Sequence, residues 1–510
     1  MPQNVPIRAI AARFSFRFSQ RALEHAFRAY PFEFCAGIST EARSQRFEGL
    51  SPKQQEWFDS SEVRNAHYAS VDWDDIAPLD EDVILRMREC EALFMSVVTR
   101  LEPKYTVPFL TRKLWYLRHL QFWNDYLTRH RINLFLSAWI PHEIPDIILY
   151  HLCKLRGIPV LYFTMEFRDV SFLEHDITRS APQVGERYRT LLTEYVGRDP
   201  ATISLAEPFA SYEQGFLVPD AKPMDIAVFA LPTYWTRLCS LTKRPLAFLR
   251  AVLRFCTPSG CARAWWALYR LHTQRQTEGF YDEHAAEPDL TKPFVYFPLH
   301  YQPEATTLPM GGVYADQILI ARMLNAELPE GVILYIKEHP SRSNWQSRSV
   351  EYYKEFLQLS KVRFVPKRFN TFLLREHCRA VATVTGSAGF EGLFRGKPVF
   401  LFGTRYYENA QGVFPIRSLR DCREAVSAIF ERGEAPTPLS THLYLKAMEE
   451  TCVRGLLDSW GLKITRMTEE EHSTVMGKTI VAELKSMHDD IARAFLPPPT
   501  MQEEVPRVSS

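Results

Sequence analysis

The chain is short of several features that would place it at once. Its nine cysteines are an odd number and form no CxxC pair. A disulfide framework or structural zinc site is therefore not expected, and a reducing cytosol fits. No window of about 20 apolar residues occurs, so no spanning helix is expected. The N-terminal stretch MPQNVPIRAIAARFSFRF is broken by Arg8, Arg13 and Arg17, which prevents the apolar core of a signal peptide. Lys+Arg number 61 against 60 Asp+Glu, a net charge of +1. The charge excess that marks a polyanion binder is missing, so no nucleic acid partner is expected. Neither a Walker A nor a GxGxxG motif is present, and no DxD-type metal pair is read, so no metal site is assigned.

A local absence is sharper. Residues 226–277 hold no Asp or Glu but contain Arg237, Lys243, Arg244, Arg250, Arg254, Arg263, Arg270 and Arg275, interleaved with Trp235, Phe248, Phe255, Trp265, Trp266 and Tyr269. RPLAFLRAVLRF and CARAWWALYRLHTQR read as two basic helices. Segment 235–275 suits contact with an anionic lipid surface; a packed hairpin with solvated arginines is the competing reading.

What is present is a long chain of 510 residues, 46 % hydrophobic, enough for two domains. DEDVILRMRECEALFMSVVTRLE and RKLWYLRHLQFWNDYLTRH carry helical spacing, and the aromatic stripe of the second is read as core packing. RINLFLSAW (131–139), IILYHLCKLRG and IPVLYFT (158–164) then give strand, helix and strand, with Gly157 as the helix stop. The rhythm resumes with strands at 293–299, 332–337, 362–366, 380–386 and 397–403 and helices between them. These runs have the composition of buried parallel strands. The fold expected is α/β: two Rossmann-like doubly wound domains facing a cleft, with a helical insert and C-terminal helices. The domains are drawn at 1–170, 171–290 (basic, aromatic insert), 291–437, 438–495 (helices) and 496–510 (disordered tail).

In an open α/β sheet, ligands sit outside the carboxyl ends of the strands. Those ends deliver His300, Gln302 and Glu304; Lys337, Glu338 and His339; Thr385, Gly386, Ser387, Ala388 and Gly389; and Gly403, Thr404 and Arg405. TGSAGFEG reads as a strand passing into a helix whose first turn favours a phosphate. Glu391 would accept from ribose hydroxyls. Lys337 can neutralise a phosphate and His339 can donate to one, whereas strand alternation turns Glu338 to the opposite face. In the N-terminal half, PHEIPD brings His142, Glu143 and Asp146 to a strand end, and MEFRD brings Glu166, Arg168 and Asp169 to the next. His142, Glu143 and Glu166 are candidate general bases for an acceptor hydroxyl.

The stretches YFPLHYQPEATTLPMGG (296–312), YIKEHP (335–340) and VTGSAGFEGLFRGKPVFLFG (384–403) resemble the bacterial capsule polysaccharide biosynthesis family, which includes the Kdo transferases of capsule assembly. PHEIPDIILYHLCKLRGIPVLYF (141–163) matches more weakly, and Gly392 stands where many relatives have alanine. The resemblance covers roughly half of the chain. It implies a GT-B glycosyltransferase that needs no metal and no cofactor, with a nucleotide sugar held by the C-terminal domain. CMP-Kdo, another CMP-sugar or a UDP-sugar are all consistent donors, with a CMP-sugar favoured. It also implies that His339 and Pro340 contact the donor phosphate and that Thr385–Glu391 form the glycine-bearing helix start. A glycan or lipid-linked acceptor follows, as does a place in the cytoplasm or on the inner face of its membrane. Three alternatives stay open: a sugar-nucleotide epimerase, a polyol-phosphate transferase of the CDP-glycerol type, and a non-enzymatic carbohydrate-binding factor.

Overall fold

A computed structural model describes residues 6–39, 45–69, 71–101, 106–217, 257–302, 304–339, 348–458, 461–463 and 465–495. The chain forms two compact units. The first comprises Met1–Phe94, Lys113–His175 and Val453–Ser510, the second Met95–Arg112 and Asp176–Cys452. The units are thus assembled from non-contiguous stretches, where the sequence suggested contiguous blocks.

The first unit is built on β1 (Ile7–Ala12), β2 (Phe32–Ser39), β3 (Gln55–Asp59), β4 (Leu134–Ser137), β5 (Val160–Phe167) and β6 (Val170–Glu174). Their order is β3-β2-β1-β4-β5-β6. All neighbours pair in parallel except β6, which folds back on β5. Connectivity reverses between β1 and β4. Helix Glu469–Ser486 covers this sheet together with helix Arg17–Ala29. The two helices approach closely because Gly477 has no Cβ, which would stand 2.6 Å from the His25 ring.

The second unit repeats the plan. Its strands are β7 (Phe294–Pro298), β8 (Ile333–Lys337), β9 (Val362–Val365), β10 (Ala380–Thr383), β11 (Val399–Leu401) and β12 (Val413–Pro415). All pair in parallel in the order β12-β11-β10-β7-β8-β9. The reversal lies between β7 and β10. Alternation divides the strands between two cores: Val295, Phe297, Leu334 and Ile336 pack on one face, and Phe294, Tyr296 and Tyr335 on the other. Two six-stranded sheets of Rossmann order make the GT-B-like two-domain α/β fold expected from the sequence.

Several local expectations change. β1 to β3 lie in the charged N-terminal region, where no strand was read. Their hydrophobic runs are short and separated by helix or by polar turns, so no sustained period marks them. Residues 171–174, assigned to the insert, belong to strand β6, which begins at Val170. Glu166, expected just past the end of its strand, lies within β5, where the register of the β5–β6 pair shifts between Met165 and Phe167. The helix expected between the strands at 293–299 and 332–337 is Ile318–Glu327, preceded by a short 3-10 turn at Gly312–Ala315. Gly157 does end its helix, with a φ of 67°. The aromatic stripe of helix Phe109–Arg129 is core: Tyr116, Phe122, Trp123 and Tyr126 are buried. RPLAFLRAVLRF lies outside the described residues, as does the tail 496–510. CARAWWALYRLHTQR belongs to one long helix, Pro258–His284. No described helix is long and apolar enough to cross a membrane.

Candidate functional site

The second sheet's switch point is the gap between the carboxyl ends of β7 and β10, where an open α/β sheet binds its ligands. His300 lies there. Its backbone is clamped by Gln317, which accepts the His300 N–H at 2.7 Å and donates to the His300 carbonyl at 3.2 Å. Its Nε2 lies 2.8 Å from the Thr383 hydroxyl and 3.3 Å from the Val384 N–H. Thr383 Oγ1 itself accepts the Gly386 N–H at 2.9 Å. Nε2 is therefore an acceptor, and the ring proton falls on Nδ1. Burial lowers the His300 pKa to about 3, helped by the charges of Arg348, His339 and Arg405. His300 thus offers a neutral N–H donor, and its Nδ1 has no partner among the described residues.

Gly386 is required by this packing. A Cβ there would stand 2.5 Å from His300 Cε1. Gly389 has a different reason, since its Cβ would meet the Tyr407 hydroxyl at 2.7 Å. That hydroxyl donates to the Gly386 carbonyl at 2.6 Å. Ser387 opens the helix Ser387–Leu393; it is exposed and its side chain has no hydrogen-bond partner among the described residues. Ala388 is half-buried against the same core face as Tyr335.

Two residues along β8, Lys337 shares the Tyr335 face by alternation. It is 2 % exposed, and its ammonium has no ion-pair or hydrogen-bond partner among the described residues. Burial lowers its pKa to about 8, against a small opposing effect of Glu338. A cation with no partner among the described residues, on a buried side chain at the carboxyl end of a parallel strand, has the charge that an anionic group would neutralise. His339 is half-buried, with its ring 4.4 Å from that of Tyr301, and burial lowers its pKa. Glu338 points away, as alternation requires. Its carboxylate pairs with Arg348 and accepts the Tyr353 hydroxyl at 2.5 Å. The charged end of this buried strand therefore divides between Lys337, without a partner among the described residues, and Glu338, paired with Arg348 and Tyr353.

Other sequence-nominated residues are already occupied. Glu304 was taken as a ligand; it caps its own turn, accepting the Thr306 N–H at 2.9 Å and the Thr306 hydroxyl. Thr385 turns inward and donates to the Thr306 carbonyl at 2.6 Å. Glu391, assigned to ribose, is ion-paired with Arg375. Gln302 is half-buried with no side-chain hydrogen bond among the described residues. Pro340 lies outside the described residues. Two further cations stand near His300. Arg405, at the end of β11, lies within electrostatic reach of His300, and Arg348 donates to the His300 carbonyl at 2.5 Å. Arg405 was visible as a strand-end residue. Arg348 carries no local signal, because ten residues separate it from Lys337.

In the first unit, the switch point lies between β1 and β4. Arg13, just past β1, holds a φ of 67°, unusual for a side chain of its size. Its guanidinium lies 3.8 Å from Glu143 and 3.7 Å from Asp146. Arg64 reaches Glu143 at 3.5 Å. His142 Nδ1 bonds the Ile140 carbonyl at 2.7 Å, and Nε2 lies 3.9 Å from Glu143. So His142 and Glu143 do come together. Asp146, in the first turn of helix Ile144–Leu155, is buried, and burial raises its pKa to about 6 despite Arg13. Glu166 stands apart from this group in sequence and strand, near the end of β5.

Among the described residues, no group of three or more His, Cys, Asp or Glu could hold a metal ion. Two D-x-D spacings do exist in the chain, contrary to the sequence reading. Both serve as caps: Asp72 accepts the Asp74 N–H at 3.1 Å and Asp80 the Val83 N–H at 2.9 Å.

Residues 265–454 match the family described as capsule polysaccharide biosynthesis protein, which bears out the resemblance drawn from 296–312, 335–340 and 384–403. No curated protein matches the chain. Solved structures similar to it include a UDP-GlcNAc 2-epimerase from Methanocaldococcus jannaschii, at 8 % identity over 88 % of this chain and 100 % of that one, with a TM-score of 0.23. The Thermosulfurimonas dismutans KpsC beta Kdo 2,7 transferase is 11 % identical over 75 % and 95 %, TM-score 0.27. The beta Kdo 2,4 transferase of the same protein is 13 % identical over 62 % and 79 %, TM-score 0.28. At these scores the likenesses carry no argument about chemistry.

Proposed function

Taking the match of residues 265–454 to capsule polysaccharide biosynthesis proteins as the premise, we propose that this chain is a glycosyltransferase of surface polysaccharide assembly. It moves a sugar from a nucleotide sugar, with a CMP-sugar such as CMP-Kdo favoured, to a glycan or glycolipid hydroxyl. The observation that carries the reading is Lys337: a buried residue at the carboxyl end of β8 whose ammonium has no partner among the described residues. With His300 Nδ1, Arg405 and the Ser387 hydroxyl, it supplies one neutral donor, two cations and a hydroxyl to a phosphate. His300 is held before a ligand arrives, by Gln317 on its backbone and Thr383 on its ring. Together these donors and cations stabilise the negative charge that grows on the nucleotide phosphate as the glycosidic bond breaks. His339 adds a second imidazole beside them.

The acceptor hydroxyl must lose a proton. His142, Glu143 and Glu166 remain the candidate bases, and Asp146 joins them because its carboxyl, near 6, titrates close to neutral pH. The reaction as proposed routes no step through a metal ion.

A thermal-shift screen against CMP, CDP, UDP, GDP and their sugars tests the reading, since a ligand that binds only the folded state raises its melting temperature. A cytidine nucleotide is expected to raise Tm in the wild type, and Lys337→Met and His300→Ala are expected to lose the shift. Binding that survives both changes would remove the site from the second sheet. Conversion of a nucleotide sugar to its epimer without acceptor would replace the transferase with an epimerase. CDP-glycerol as the sole consumed donor would replace sugar transfer with polyol-phosphate transfer.

A further inference from the structure

Helix Pro258–His284 runs for 27 residues, about 40 Å, and its two ends live in different environments. Near its C-terminus, Thr277 and Tyr281 are buried. The Tyr281 hydroxyl donates to the Val365 carbonyl at 2.7 Å and accepts the Glu338 N–H at 3.0 Å. The helix is therefore bolted to the strand end that carries Lys337 and His339. Its N-terminal half is dressed for a different contact. Trp265 is 67 % exposed, Leu268 66 %, Tyr269 45 % and Leu271 46 %. Trp265, Leu268, Tyr269 and His272 follow the i, i+3, i+4, i+7 spacing of one helix face. The Trp265 and Tyr269 rings stack at 5.8 Å. Arg275, one turn on, is exposed.

A row of exposed aromatic and aliphatic side chains is a docking surface in want of an occupant. Charge selects it. From 226 to 277 the sequence holds eight Lys or Arg and no Asp or Glu. A cationic stretch rich in Trp and Tyr is matched by a surface that is apolar beneath and anionic on top. Packing of this stretch on itself, or on a second copy, would bring like charges together. We propose that the face formed by Trp265, Leu268 and Tyr269 seats on an anionic phospholipid surface, with the exposed Arg275 at its edge beside lipid phosphates. The β8 end, with Lys337 and His339, is thereby held at a lipid surface through Tyr281. This inference stands independently of the transfer reaction.

The test is co-sedimentation of the full chain with vesicles of phosphatidylcholine alone and with about a quarter phosphatidylglycerol. The wild type is expected to bind the anionic vesicles, to release in high salt as screening predicts, and to bind neutral vesicles far less. Trp265→Ala with Leu268→Ala should lower the bound fraction about tenfold while Tm is unchanged, because both side chains are already in solvent. Leu110→Ala with Leu114→Ala, on a different exposed apolar helix face, should leave binding as it was. The proposal is overturned if the wild type stays in the supernatant, if it binds neutral and anionic vesicles alike, or if the double variant binds as the wild type does. It is equally overturned if the wild type self-associates in solution and the double variant is monomeric, since the face would then be a protein interface.

Discussion

At the tip of β8, burial has brought Lys337 down to about 8 from the ordinary 10.5. The sign of its effect on stability follows directly. Below pH 8 the lysine is protonated in both folded and unfolded chains, and the full cost of burying the charge is present. Between 8 and 10.5 the folded lysine has lost its proton while the unfolded chain still holds one, so stability rises with pH through that window. Lys337→Met removes the cost. It is expected to stabilise the protein by on the order of 2–3 kcal/mol at neutral pH, with the gain shrinking above pH 8 in urea melts. The same change should abolish nucleotide-induced stabilisation. In the wild type, nucleotide affinity should fall as pH rises through about 8, read by calorimetric titration. A variant both more stable and unable to bind would mark Lys337 as a functional cost; equal or lower stability with intact binding would contradict the role.

The two faces of one element explain the unusual run that ends in Lys337, Glu338 and His339. A buried parallel strand tolerates charge only where each charge has a task. Glu338 serves the fold. With Arg348, Tyr353 and its own N–H on Tyr281, it ties β8 to helix Val350–Leu357 and helix Pro258–His284. Glu338→Gln leaves the Arg348 guanidinium buried without its counter-charge, and loss of one partner of a buried pair costs about 3–5 kcal/mol. We expect the urea midpoint to fall accordingly while the side chains of Lys337 and His300 remain in place. A drop of less than about 1 kcal/mol would mean the pair is solvated. Alternation acts between adjacent residues, so the split between Lys337 and Glu338 is legible in the sequence alone. The identity of the partner is not, because Arg348 reaches Glu338 only through the fold of the intervening chain. The same limit applies to Glu304, Thr385 and Glu391. Their residue types suit a ligand, but a local turn, a distant carbonyl and Arg375 had already claimed them.

At the scale of the whole molecule, the C-terminal segment belongs to the first unit. Leu457, Met476, Ile480, Leu484, Met487 and Ile491 fill the same core as Leu23, Leu134 and Leu161. Each such side chain contributes about 1.5–3 kcal/mol when buried, so together they rival the whole stability of an ordinary domain, about 5–15 kcal/mol. A chain ending at Cys452 should therefore lose the first unit and keep the second. Hydrogen exchange would show β1 and β4 unprotected, with β7, β8 and β10 still protected. Protection of β1 in that truncated chain would contradict the shared core. The sequence by itself determined the C-terminal sheet, the buried strands with polar tips and the glycine-bearing turn at Gly386, because short-range alternation and turn chemistry act within a few residues. Which polar tips are taken up by other groups emerges only in the folded chain. That Glu391 is neutralised by Arg375 while Lys337 has no partner among the described residues depends on groups brought together by the whole sheet, and no local pattern records that.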